Sequence, residues 1–151
     1  EAMLRALDAI EAPGDVRTGE RIFLARRDRS AFRSLDNAEE IERLAERLGF
    51  EVVHPADHPL RRQIAIFRRA RIVVGEYGSA LHGTLFSPAG TKVVALNWIN
   101  EVQARICRSR AQPFGIVLPA SGRPVLFEAG REQRYTIDLD ELARRLAQVL
   151  G

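Results

Sequence analysis

Short apolar runs alternate along the chain with stretches in which apolar residues recur every three or four positions. A continuous run such as RIVVG at 71–75 is typical of a strand buried on both faces, whereas Ile41, Leu44 and Leu48 have the spacing of one helix face. These patterns predict strands at 21–25, 50–54, 71–75 and 92–97, with shorter strands at 114–118, 124–128 and 134–137. They predict helices at 1–11, 37–48, 60–69 and 100–110, a short helix after 78, and a last helix from 139.

Capping residues mark where several of these helices begin and end. Either Asp36 or Asn37 is suited to accept a hydrogen bond from the first turn of the second helix. Gly49 is suited to the left-handed conformation that ends many helices, and Asp138 is suited to cap the last one. The arginine-rich residues between 26 and 37 are predicted to form a loop.

The order of these elements predicts an α/β fold, a Rossmann-like parallel sheet flanked by helices, in a single domain that spans 1–151. Short strand–helix–strand connections favour right-handed crossovers and parallel strands. In such sheets ligands bind beyond the carboxyl ends of the strands, near the point where the strand order reverses. We therefore expect the functional residues in the loops that follow 21–25 and 71–75.

Composition narrows the classes of function without choosing among them. The 151 residues are 46% hydrophobic and 28% charged, as in a globular protein, and no apolar run approaches the ~20 residues of a membrane-spanning helix. Of 23 basic residues 22 are arginines and the net charge is +3, which fits either phosphate binding or the codon bias of a GC-rich genome. A single lysine argues against a nucleic-acid partner, and one cysteine with three scattered histidines does not suggest a metal site.

The segment GEYGSALHG at 75–83 leaves a predicted strand and opens a helix. Glycines allow the backbone to approach a ligand closely, and the free amides of a helix start favour an anion. We assign donor or phosphate binding to Gly78, Ser79, Ala80, Leu81 and His82. Ser79 is suited either to cap the helix or to donate its hydroxyl, and His82 either to contact the ligand or to bond the backbone. An ordinary tight turn remains the alternative interpretation of the segment.

Arginines follow the first predicted strand, and a carboxylate lies beside the glycine turn. Arg26 and Arg27 are positioned to neutralise a phosphate at the same edge of the sheet, although their sequence also fits a solvated loop. Glu76 precedes the glycine turn and is a candidate carboxylate of the cleft. Candidates for ribose or base contacts beyond the fourth strand are Asn97, Trp98 and Glu101, with simple packing as the alternative for Trp98. The residues alone identify no catalytic group.

Two stretches within 21–97 carry a more specific pattern, RIFLARRDRSAFRSLDNAEEIERLAERLGFEVVHPAD and QIAIFRRARIVVGEYGSALHGTLFSPAGTKVVALN. Together they resemble glycosyltransferase family 61, whose bacterial members are described as capsular or exopolysaccharide biosynthesis proteins. The matching positions are Arg26 and Arg27, Asn37 with Glu39 and Glu40, Gly49 and Phe50, Gln63 and Phe67, Gly78 to His82, and Phe86, Pro88 and Gly90. Gly83 departs from the pattern, because the family often has asparagine there, so one polar contact near the donor is either missing or dispensable.

The resemblance implies an inverting glycosyltransferase of the GT-B type, in which two Rossmann-like halves face each other and the C-terminal half binds a nucleotide sugar. The chain begins with Glu1 rather than methionine, which we interpret as the sign of a fragment, and its resemblance to the family implies that it is that C-terminal half. The half that binds the glycan acceptor is then missing, and we expect the isolated chain not to transfer sugar. UDP-linked sugars are candidate donors, and neither a cofactor nor a divalent metal is expected. The implied location is the cytoplasm or the periphery of the inner membrane.

Three other functions stay open at this point, of which the least specific is a protein-interaction domain with a degenerate site. A pyruvyltransferase-like enzyme of polysaccharide modification would use a similar basic edge for a different donor. A non-catalytic module that binds phosphate or nucleic acid would also use arginines, but it would be expected to spread lysines and aromatic residues over an exposed face.

Overall fold

Five parallel strands form the central sheet of the computed structural model, which describes residues 2–26, 33–126 and 131–151. They are β1 (Arg21–Leu24), β3 (Glu51–Val53), β4 (Ile72–Glu76), β5 (Lys92–Leu96) and β6 (Phe114–Val117), in the order β3–β1–β4–β5–β6. Two short strands, β2 (Arg33–Leu35) and β7 (Gln133–Tyr135), pair in a separate parallel sheet. The helices are α1 (Ala2–Asp8), α2 (Ala38–Arg47), α3 (Leu60–Arg69), α4 (Glu101–Ser109) and α5 (Leu139–Leu150), with 3₁₀ helices at Pro55–Asp57 and Ser79–Phe86.

Helices cover both faces of the central sheet, because successive strand residues point into two different cores. On one face Phe23, Val74 and Val94 belong to a core shared with α2 and α5. On the other face Val73 and Val93 belong to a core shared with α3 and the Ser79–Phe86 helix. This arrangement confirms the predicted α/β, Rossmann-like fold, and it explains why residues 72–75 include no polar position.

The turn between α2 and β3 has the geometry predicted from its glycine. Gly49 has φ of 81° and donates its amide to the Glu46 carbonyl over 2.9 Å. The Phe50 amide reaches back to the Ala45 carbonyl over 3.0 Å. These two bonds form a Schellman motif, which satisfies carbonyls that the end of a helix would otherwise leave without partners.

The start of α2 differs from the prediction. Asn37 occupies the N-cap position, but its side chain makes no capping hydrogen bond. Instead, its side-chain Nδ2 donates to the Ile137 carbonyl over 2.7 Å, and its side-chain Oδ1 accepts from the Ile137 backbone N–H over 3.1 Å. A side-chain cap by Asn37 is therefore wrong, because the side chain ties α2 to the chain that follows β7. The predicted cap of α5 is confirmed, since Asp138 accepts from the Glu141 amide over 2.8 Å.

Other boundaries also differ from the sequence patterns. The predicted loop between 26 and 37 contains β2, and the third strand extends to Glu76. Within the predicted strand at 124–128, residues 124–126 are not in a strand, while 127 and 128 lie outside the described residues. Across the parts of the chain that the structure describes, no helix is long and apolar enough to cross a bilayer.

Candidate functional site

The strand order reverses between β1 and β4, which lie side by side at the centre of the sheet. From β1 the chain continues to β3 on one side, and it then returns to β4 on the other side. Leu24 and Gly75 are opposite each other in the register, so the segments after both strands leave the same edge. Gly75 permits this close pairing, because a Cβ atom at that position would lie 3.0 Å from the Leu24 Cβ. Ligands of doubly wound sheets bind at such a reversal.

An arginine and a carboxylate meet at this reversal. Arg26 Nη1 lies 3.7 Å from Glu76 Oε1, with the two side chains 35% and 10% exposed. The distance suits an ion pair and exceeds that of a good hydrogen bond. Arg27, predicted to act beside Arg26, lies outside the described residues. We call Arg26, Glu76 and the following turn residues Gly78, Ser79 and Ala80 the switch-point cluster.

The turn after β4 opens directly into the Ser79–Phe86 helix. Gly78 is its N-cap residue and has an extended backbone with φ of 161°, and its carbonyl accepts the first helical bond from the Leu81 amide over 3.0 Å. The Ser79 and Ala80 amides precede that bond, so they have no acceptor within the helix. Ser79 is exposed and is the first residue of the helix rather than its cap. The turn can therefore offer an anion two amides and one hydroxyl.

Leu81 does not fit its predicted role in ligand binding. Its side chain is fully buried and belongs to the core shared with α3. Its amide is already used by the Gly78 carbonyl. Leu81 therefore anchors the helix that presents the turn, and we remove it from the candidate ligand contacts.

His82 lines a cavity between the Ser79–Phe86 helix and α3. The cavity has a volume of about 290 Å³, and its walls include Phe67, Ser79 and Phe86. His82 is half-buried, and its buried Nε2 atom has no hydrogen-bond partner within 2–26, 33–126 and 131–151. The same helix thus carries Ser79 at its start and, one turn later, a histidine whose Nε2 atom has no hydrogen-bond partner among the described residues.

Gly83 follows this histidine, and its lack of a side chain has a packing reason. A Cβ atom there would lie 2.1 Å from Phe67 Cε2 and 2.3 Å from Phe67 Cζ. The aromatic ring therefore occupies the space that an asparagine side chain would need at this position. The glycine at 83, where the family often has asparagine, therefore leaves room for the Phe67 ring.

The three residues predicted to contact ribose or base lie in very different environments. Asn97 is fully buried and has φ of 80°. Its side-chain Nδ2 donates to the Val125 carbonyl over 2.8 Å, and its side-chain Oδ1 accepts from the Val125 N–H over 2.7 Å. Asn97 thus holds the 125 segment against the sheet, and we remove it from the ligand contacts. Glu101 is exposed at the start of α4 and binds Arg105 over 2.5 Å. Trp98 is half-buried, and its ring lies 4.3 Å from that of Tyr77 at an interplanar angle of 46°.

Tyr77 is the site residue that the sequence patterns missed. It follows β4 directly, its amide donates to the Leu96 carbonyl over 3.0 Å, and its ring contacts Trp98 beyond β5. A usable signal was present, because both aromatic residues lie within two positions of the ends of neighbouring strands. The Trp98 indole nitrogen is buried, and it has no hydrogen-bond partner in the part of the chain that the structure describes.

Comparison with known proteins now adds a family to this geometry. No curated protein sequence matches the chain. The family model described as Glycosyltransferase 61 matches residues 3–94, more than half of the chain, and this match includes β1, β4 and the whole Ser79–Phe86 helix. The chain therefore belongs to glycosyltransferase family 61.

Proposed function

We propose that this chain is the nucleotide-sugar-binding domain of an inverting glycosyltransferase of capsular or exopolysaccharide biosynthesis. The observation that carries the proposal is the meeting of two sequence-distant segments at the strand reversal, where Arg26 Nη1 lies 3.7 Å from Glu76 beside the turn at Gly78. A guanidinium and helix-start amides are the groups that proteins use to bind phosphate. Membership of a glycosyltransferase family makes a sugar diphosphate the natural anion.

The proposed reaction is a direct displacement. A general base takes the proton from an acceptor hydroxyl, whose oxygen forms a bond to the anomeric carbon while the bond from that carbon to the diphosphate breaks. The configuration at the anomeric carbon is inverted. Negative charge accumulates on the departing nucleoside diphosphate, and Arg26 with the Ser79 and Ala80 amides stabilises it there. We assign the base and the acceptor site to a second domain that packs against this one in a GT-B arrangement.

Calorimetric titration with ADP, CDP, GDP and UDP tests the proposal. We expect one of the four to bind the chain, and we expect Arg26→Ala to weaken it by about 1–3 kcal/mol, or about 5- to 150-fold, the scale of a hydrogen bond between charged groups. Arg47→Ala is the matched control, because Arg47 is exposed at the end of α2, which leads to the opposite edge of the sheet. Equal affinity in both variants would remove Arg26 from the site.

Two further results would contradict the donor assignment. Failure of all four nucleoside diphosphates to bind a folded chain would leave the switch-point cluster without its proposed ligand. Tighter binding of phosphoenolpyruvate than of any nucleotide would favour a pyruvyltransferase-like enzyme instead. We also expect the chain on its own to bind donor without transferring sugar, and turnover by the chain alone would show that it contains the acceptor site.

A further inference from the structure

Glu76 is a carboxylate that is largely buried, and the described part of the fold gives its Oε1 atom no hydrogen-bond donor. Its side chain is only 10% exposed, and among the described residues its Oε1 atom has no hydrogen-bond partner. The nearest cation, Arg26 Nη1, lies 3.7 Å away. The adjacent Tyr77 amide donates to the Leu96 carbonyl and is therefore not directed at the carboxylate.

Such an arrangement is costly to the ligand-free protein. A carboxylate oxygen loses its water on burial, and this loss is repaid only when N–H or O–H groups replace the water. Arg26 compensates the charge but not the hydrogen bonds, since a separation of 3.7 Å is too long for one. The groups that satisfy Oε1 in the working protein must therefore come from outside the described fold.

We propose that Glu76 accepts hydrogen bonds from a pair of hydroxyl groups on the sugar-bearing part of the donor. This inference rests on the proposed function and specifies how the same site chooses its ligand. A phosphate is unsuitable at Glu76, because two anions would meet there. A divalent cation would face Arg26, and the described residues contain no cluster of three acidic, histidine or cysteine side chains to complete its shell. Hydroxyl groups are neutral donors, so they satisfy Oε1 without disturbing its charge balance with Arg26.

The hydroxyl pair can come from the ribose or from the transferred sugar, and both present the same chemistry to a carboxylate. A site that buries an acceptor for a hydroxyl rejects ligands that lack the hydroxyl, because the acceptor is then left unpaired. Loss of one hydrogen bond to a charged group weakens binding by about ten-fold or more. Discrimination between ligands that differ by a hydroxyl is therefore the property that Glu76 should control.

The test compares wild-type chain with Glu76→Gln, which keeps the shape of the side chain but removes its charge and one acceptor oxygen. Calorimetry is performed with ADP, CDP, GDP and UDP and with their 2′-deoxy forms. It is also performed with the nucleoside diphosphate glucose that carries the most tightly bound base. If the hydroxyls are those of the ribose, Glu76→Gln reduces a preference of about ten-fold or more for the ribonucleotide over its 2′-deoxy form. If the hydroxyls belong to the transferred sugar, Glu76→Gln instead reduces the preference for the nucleoside diphosphate glucose over the nucleoside diphosphate. Binding of the 2′-deoxy diphosphate itself is retained in both cases.

A melting curve provides a second readout that does not need a ligand. Because Glu76→Gln replaces a buried carboxylate whose Oε1 atom has no hydrogen-bond donor among the described residues, we expect the Tm of the variant to equal or exceed that of the wild-type chain. A lower Tm would show that Glu76 stabilises the fold, and it would overturn the proposal. Glu101→Gln is the matched variant, since Glu101 is the exposed carboxylate beyond β5. If the preference for ligands that carry the hydroxyl groups is lost in Glu101→Gln rather than in Glu76→Gln, the proposal for Glu76 is also overturned.

The outcomes separate this inference from the proposed function. If a nucleoside diphosphate binds in an Arg26-dependent manner but both preferences are unchanged in Glu76→Gln, the role of Glu76 is refuted and the donor site stands. If no nucleotide binds the folded wild-type chain, both proposals fail together.

Discussion

Replacement of Gly83 by alanine tests how the Ser79–Phe86 helix is held against α3. The new Cβ atom would lie 2.1, 2.3 and 2.7 Å from Cε2, Cζ and Cδ2 of Phe67, all far below van der Waals contact. Phe67 is 2% exposed and belongs to a packed core, so its ring cannot move into solvent. Either the ring leaves its position or the helix moves away from α3.

The net cost follows from two opposing effects. Overpacking of a core typically costs ~1–3 kcal/mol. Alanine offsets up to ~1 kcal/mol of this cost relative to glycine, since it restricts the unfolded chain. We therefore expect Gly83→Ala to lower the free energy of unfolding by ~1–2 kcal/mol, which for a chain of this size lowers the Tm by roughly 2–8 °C.

Thermal and urea unfolding followed by far-UV circular dichroism measure this loss, and Gly78→Ala is the matched control in the same turn. No atom lies within 4 Å of a Cβ built on Gly78, and its backbone is extended, so we expect a change within ~0.5 kcal/mol. Phe67→Leu removes the ring that causes the clash. The double variant should therefore be more stable than the sum of the single changes predicts, by ~1 kcal/mol or more. Wild-type stability of Gly83→Ala, or additive effects in the double variant, would refute this packing.

Two further predictions concern polar side chains that join distant segments. Asn97→Ala removes two hydrogen bonds to the Val125 backbone and leaves alanine in a left-handed conformation, so the free energy of unfolding measured in urea should fall by ~2–4 kcal/mol. A fall below ~0.5 kcal/mol would contradict the role assigned to Asn97. Hydrogen bonds from Arg110 hold the pKa of Asp8 below its ordinary value, so this pair stabilises the fold above the unfolded-state pKa and stops doing so as the pH falls through the folded-state pKa. Because Asp8 is largely exposed, Asp8→Asn should lower the free energy of unfolding by at most ~1 kcal/mol at pH 7, and Asp15→Asn is the control. The difference in Tm between wild type and Asp8→Asn should disappear in acid. A difference that persists at low pH would contradict the ion pair.

Most of the central sheet is predictable from the sequence because its strands are buried on both faces. RIVVG at 71–75 and the apolar residues at 92–97 give continuous runs that exclude a solvent-facing strand. Short connections between the runs then restrict the chain to parallel strands with covering helices. Even the end of α2 was readable, since Gly49 adopts the positive φ that its position requires.

The second sheet was not predictable, because its signal is not local. Strands β2 and β7 are three residues long, mostly polar, and separated by about 100 residues along the chain. Asn37 illustrates the same difficulty, as its sequence position suits a helix cap while its actual partner is Ile137. Asn97 likewise resembles a ligand contact until Val125 is placed beside it. Side chains that bond distant backbone cannot be distinguished from binding residues by their spacing alone.

Arg26 and Glu76 became interpretable only when the register of β1 and β4 was known. Fifty positions separate them in the sequence, yet the strand reversal puts them 3.7 Å apart. The pair also constrains what the site can accept. A bare phosphate competes with Glu76 for Arg26 and leaves the buried carboxylate with neither its cation nor a hydrogen-bond donor, so part of the binding energy is lost. A ligand that carries a diphosphate for Arg26 and hydroxyl groups for Glu76 avoids this loss, because it supplies partners to both members of the ion pair at once. If Glu76 binds hydroxyl groups as proposed, the electrostatics of the reversal favour a sugar-linked diphosphate over simpler anions.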